Sequence, residues 1–160
     1  MLSATIVRRP PHSRARVCAL LVMLATAAAA AQPPSATAGR LKVATGTVSI
    51  VRGADVQPAT AGAELRESDI VRTGADGRAA IMLKDESRLS LGPNTELALA
   101  RFAFAPQDQQ LALTVRLTRG VLSYVSGIIA KLAPEAVRLQ TPTSVIGVRG
   151  THVLVRAEAP

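Results

Sequence analysis

The 160-residue sequence holds one cysteine, two histidines and no tryptophan, and aromatic residues make up 2% of it. A single thiol, Cys18, excludes an intrachain disulfide. Cys18 sits in the N-terminal segment, and once that segment is removed the remaining chain has no thiolate for nucleophilic or zinc chemistry. Phe102, Phe104 and Tyr124 are the only aromatic side chains. They are too few to give stacking platforms for bases, so no nucleic-acid partner is expected, and the missing tryptophan argues against sugar binding. His152 is the only histidine after residue 12. A zinc site needs further ligands, and no cysteine or second histidine is left to supply them. No EF-hand spacing and no Gly-x-Ser-x-Gly elbow occur. No metal, cofactor or catalytic residue is expected.

Charge is the next bound. The formal net charge is +8, from 19 basic and 11 acidic residues. Arg8, Arg9, Arg14 and Arg16 belong to the N-terminal segment, so 15 basic residues face the 11 acidic ones over the rest. These are scattered singly from Arg40 to Arg156 and form neither a run nor a helical stripe. An ordinary soluble domain accounts for them better than an anion-binding surface.

Residues 1–31 read as a secretory signal peptide. Arginines form its n-region, an apolar stretch follows from Val17, and Ala29-Ala30-Ala31 offers a small-residue cleavage site. The apolar stretch is shorter than the roughly 20 residues of a spanning helix, which favours cleavage over a retained anchor. Arg8-Arg9 is followed by Pro10-Pro11-His12, without the hydrophobic positions of a twin-arginine signal. The expected location is the periplasm or outside the cell, with no stable membrane span after cleavage. Residues 32–44, with Pro33-Pro34-Ser35, read as a flexible linker.

From Thr45 to residue 157 the chain reads as short strands between turns. Val48 and Ile50 alternate with Thr47 and Ser49; Ala79, Ile81 and Leu83 share a face, as do Leu97 and Leu99. The clearest alternation is Leu111, Leu113, Val115 and Leu117, a period of two rather than 3.6. Gly74-Ala75-Asp76-Gly77, Lys84-Asp85-Glu86-Ser87 and Gly92-Pro93-Asn94 are turns. Residues 128–132 fit either a strand or a short helical turn. This spacing implies an all-β domain, either two packed antiparallel sheets or a short β-solenoid of many short strands.

Five ordered pieces carry a resemblance. They are Gly46-x-Val48 with its strand; Asp69-Ile70-Val71-Arg72-Thr73-Gly74 with Asp76-Gly77-Arg78; Asp85-x-Ser87-x-Leu89-x-Leu91-Gly92-Pro93-Asn94-Thr95-Glu96-Leu97; the Gly120-Val121 strand; and Thr141-Pro142 with Ile146-Gly147-Val148-Arg149-Gly150-Thr151. In this order the sequence resembles a FecR-type domain. The resemblance marks Asp69, Arg72, Thr73, Gly74, Gly77, Gly92, Asn94, Gly147, Arg149, Gly150 and Thr151 as signature positions of structural purpose. It implies a non-catalytic cell-envelope interaction module, related to the periplasmic sensing domain of FecR-type regulators. The implied partner is an envelope protein, of the kind of an outer-membrane receptor's signalling domain. Those regulators carry a cytoplasmic segment that holds a sigma factor. Here a signal peptide is read as leading almost directly into the domain, which sets direct sigma regulation apart from what the resemblance implies. The family pattern continues with further strands after the Gly-Thr segment. An end at Pro160 therefore implies a shortened member or a truncated frame, with one sheet edge unpaired.

Other candidate chemistry has plainer alternatives in these residues. A Ser-His-Asp set would need His152 with Ser123, Ser126 or Ser144. A hydrolase pair would come from Glu64, Glu67, Asp69, Asp76, Asp85 and Glu86, which coincide with turns. Gly147, Gly150 and Arg149 could form an anion nest, but a tight bulge whose glycines let strands pack is the simpler reading. A module binding cell wall or exported polysaccharide is the alternative function, supported by the compartment alone.

Overall fold

The computed structural model describes residues 36–149 and 152–158. The signal peptide, most of the stretch before Thr37, and the signature positions Gly150 and Thr151 lie outside the described residues. Within them the chain is all-β: twelve strands, one five-residue helix and two 3-10 turns. In order the strands are β1 (Thr37–Thr45), β2 (Val48–Arg52), β3 (Asp55–Pro58), β4 (Glu64–Arg66), β5 (Ile70–Thr73), β6 (Arg78–Leu83), β7 (Arg88–Leu91), β8 (Glu96–Ala105), β9 (Gln110–Val125), β10 (Val137–Gln140), β11 (Val145–Gly147) and β12 (His152–Ala157). Residues 128–132 take the helical option, as α1 (Ile128–Leu132).

The strands form one curled sheet whose two halves meet in β9. One half runs β3-β2-β5-β8-β9-β10-β11, the other β12-β9-β7-β6-β1-β4. All ladders are antiparallel except β10 on β9. This is the packed antiparallel arrangement, not a solenoid.

β9 serves both halves because it turns at Gly120. Residues 110–119 pair with β8, and residues 120–125 with β12. The buried parity also changes there, from Leu113, Val115 and Leu117 to Leu122 and Tyr124. Gly120 has φ +93, and a Cβ would meet Thr95 Oγ1 at 2.3 Å and Thr95 Cα at 2.5 Å. Conformation and space both demand glycine. The alternation alone reads as two strands either side of Gly120; the glycine bends one strand, Gln110–Val125, without ending it.

One aliphatic core joins the inner faces. Leu41, Ile81, Leu89 and Leu122 come from one half, Val71, Leu97, Leu113, Val115 and Leu139 from the other, and all belong to a single cluster. Each such side chain contributes about 2 kcal/mol on burial. The linker reading of 32–44 is corrected from Thr37 onward. β1 lies between β4 and β6 and buries Ala38 and Leu41. Its pattern escapes notice because the register shifts between Leu41 and Val43, which breaks the period of two. β3 also went unread: all four of its residues are exposed, so it carries no apolar alternation.

Candidate functional site

The acidic residues come first, because any catalytic reading depends on them. Asp69 is 1% exposed, placed at the entry to β5. Its carboxylate accepts two hydrogen bonds from Arg52, Nε at 2.8 Å and Nη2 at 2.7 Å, and a third from the Arg66 backbone N–H at 2.8 Å. The same fork raises the Arg52 pKa above its ordinary value, chiefly through the Asp69 hydrogen bond. Asp76 accepts the Thr47 backbone N–H at 3.2 Å, which lowers its pKa and ties the β5–β6 turn to the β1–β2 corner. Glu64 pairs with Arg40 at 3.1 Å, and Glu67 accepts the Phe102 N–H. Glu86 is exposed in its turn with φ +67. Asp69, Asp76, Glu64 and Glu67 thus each hold separate partners, and none of these bonds sets two carboxylates up as an acid–base pair.

A second buried polar group centres on Asp85, which the sequence offers as a turn residue and a hydrolase candidate but not as the hub of a buried network. Asp85, Ser87 and Tyr124 are all fully buried. The Ser87 hydroxyl donates to Asp85 Oδ2 at 2.7 Å, and the Ser87 N–H to Oδ1 at 3.2 Å. With its proton committed there, Ser87 Oγ accepts from the Gly127 N–H at 3.1 Å and from the Tyr124 hydroxyl at 3.3 Å. The Asp85 carbonyl caps α1 by accepting the Ile128 N–H at 2.7 Å. A Cβ on Gly127 would meet the Asp85 carbonyl oxygen at 2.2 Å. This network pins the β6–β7 turn beneath the start of α1. The signal in the sequence was Asp85-x-Ser87 at a turn, which is an ordinary turn pattern until its burial is known.

The remaining signature residues are structural too. The Thr73 hydroxyl donates to the Gly92 carbonyl at 2.7 Å and accepts the Thr95 N–H at 2.9 Å. Asn94 holds φ +51 and donates its N–H to the Gly74 carbonyl. Gly77 passes so close to Thr47 that a Cβ would lie 2.2 Å from its carbonyl oxygen. Arg72 pairs with Glu96 at 3.2 Å, and Arg119 reaches the same carboxylate at 3.6 Å. Gly92 and Gly147 differ. A Cβ on Gly92 would make only ordinary contact with Val121, and one on Gly147 meets nothing within 4 Å. The expectation that Gly147 lets strands pack closely is corrected: the space above it is open.

Of the candidate nucleophiles, the structure brings Ser123 and His152 together, Oγ to Nε2 at 2.8 Å across the β9–β12 ladder. His152 is exposed on the outward face, and no carboxylate among the described residues bonds its ring. A serine and an imidazole without an orienting third group do not make an acyl-transfer site. Ser144 lies elsewhere, its carbonyl accepting the Thr141 N–H. Among the described residues no three His, Cys, Asp or Glu side chains stand together as a metal site. None of their helices is long and apolar enough to cross a membrane.

Exposed features concentrate at the margins. β3, β4, β11 and β12 each have one strand partner among the described residues. Around β10 and β11 lie three hollows of about 310, 490 and 160 Å³. Arg101, Arg116, Arg138 and Arg149 line them.

Buried polar groups that hold turns, together with strands at open edges, define an all-β scaffold domain. The chain belongs to the FecR family: the family's sequence model, described as FecR protein, matches residues 69–160. The fold reaches further than that match, since β1 and β4 precede it and share its core. No curated protein and no solved structure matches the chain.

Proposed function

We propose that this is a non-catalytic FecR-type module, exported to the periplasm by a cleaved signal peptide, that works by binding another envelope protein. One observation carries the reading. Five large hydrophobic side chains are exposed among the described residues, and three of them, Val56, Val145 and Leu154, lie on strands with a single partner. Exposed aliphatic residues on an unpaired edge suit strand addition, where main-chain bonds supply affinity and alternate side chains supply specificity. The engagement of Asp69, Asp76 and Asp85 in structural bonds supports the non-catalytic part. The partner is of the class of an outer-membrane receptor's periplasmic signalling domain, as the family suggests. The test is affinity capture from periplasmic extract with the full-length protein as bait. Recovery of such a domain, competed by unlabelled protein, supports the reading. Recovery of no envelope protein contradicts it.

A further inference from the structure

Gly147 has no structural reason to be glycine. Its φ is not in the left-handed region, and a Cβ there would touch nothing. It forms part of the wall of the 310 Å³ hollow together with Arg138, Arg149 and Val145. Val145 also lines the 490 Å³ hollow on its other side, with Arg116 and Pro142. Pro142, Val145, Gly147 and Arg149 of the segment read from sequence as a packing motif therefore line two concavities, with Val145 shared between them.

The charge around that rim is one-sided. Arg101, Arg116, Arg138 and Arg149 are all exposed, and none forms an ion pair within the described residues. The register sets them side by side: Thr114 of β9 stands between Arg101 of β8 and Arg138 of β10, and Gln140 of β10 stands opposite Arg116. Gln140 Oε1 accepts from Arg116 Nε and Nη2 at 3.3 and 3.2 Å and steadies that guanidinium. Glu135 is the one carboxylate lining the three hollows. By contrast Arg40, Arg52, Arg72 and Arg119 all have carboxylate partners. Arg66, Arg78, Arg88 and Arg156 also form no ion pair, but none of them lines these hollows; the four that do stand on β8, β9 and β10 and just after β11, a strand with one partner among the described residues.

We infer that the β10–β11 margin is a docking site for an extended acidic polypeptide segment. This rests on the protein-binding reading above and names the surface and the partner's chemistry. The segment adds alongside β11, and its carboxylates are taken by Arg138 and Arg149 in forked pairs. Gly147 keeps the hollow beside them unfilled. An anionic glycan fits less well, because Tyr124 is fully buried and Phe102 and Phe104 pack against the core, leaving no stacking platform.

The test is fluorescence anisotropy of the full-length protein with a labelled peptide alternating glutamate and threonine. Its backbone N-methylated form and polygalacturonate of matched charge serve as competitors. The expected result is salt-sensitive binding, weakened about tenfold by N-methylation and about tenfold by R138A/R149A, with an unchanged melting profile. Gly147→Val, which fills the hollow from an open position, weakens binding likewise. Absence of binding overturns the inference. So does equal competition by the N-methylated peptide or the polyuronate, or unchanged affinity in the variants. Capture from periplasmic extract separates the two readings. If R138A/R149A recovers the same partner as wild type, this site is wrong and the protein-binding function stands. If wild type recovers none, that function falls, while the peptide titration still decides the site.

Discussion

Tyr124 is the only tyrosine in a chain without tryptophan, so its phenol can be titrated by absorbance free of interference. Burial is the main cause that pushes its pKa above the ordinary value. The Asp85 charge adds to the rise, and hydrogen bonding to Ser87 opposes it. The unfolded chain therefore ionises first as pH climbs. The stabilisation is complete below about pH 10 and is lost as pH rises through the folded value. The phenolate band should appear above the pH of an open tyrosine and together with loss of strand signal in circular dichroism. Tyr124→Phe should move the alkaline transition upward. A reversible titration near pH 10 with the fold intact would show that the Asp85–Ser87–Tyr124 network does not close off the phenol as described.

At the scale of elements, two glycines make opposite predictions. Gly120→Ala puts a Cβ into Thr95 at a left-handed backbone position and should cost about 2–4 kcal/mol in urea unfolding. Gly147→Ala meets open space and should change stability by less than about 0.5 kcal/mol. Equal effects would mean that β9 does not turn at Gly120 as described. The pair also shows what could be read from the sequence. Alternation located β2, β5 to β8 and β10, because these strands bury one face and expose the other. It could not locate β3, which buries neither face, or carry β1 across its bulge. Nor could it show that Gly120 bends a strand while Gly147 lines a hollow, since both stand as lone glycines beside β-branched residues. Asp69 was legible as a structural residue from its place before Arg72-Thr73-Gly74. Its partner Arg52, 17 positions earlier, was not, because the pair forms only when β2 lies against β5. The buried role of Asp85 was hidden for the same reason: its closure depends on Tyr124 and Gly127.

For the whole molecule, the sequence average misled. Basic residues scattered along the chain suggested a solvated surface without a patch. The curled sheet instead neutralises one set of arginines in carboxylate pairs and brings four others to one margin, on strands β8, β9 and β10 and after β11. The central claim is that this margin, and not edges in general, is where the protein binds. Val145 on β11 and Val56 on β3 permit a direct comparison, being 68% and 62% exposed on opposite edges of the same half-sheet. Accessibility alone cannot separate them. The measurement is photo-crosslinking in intact cells with a photoreactive residue at either position in the full-length protein. A discrete higher-mass adduct at position 145 that is absent at position 56, and that disappears with R138A/R149A, is the predicted result. Equal adducts at both positions, or an adduct at position 56 alone, would contradict the account.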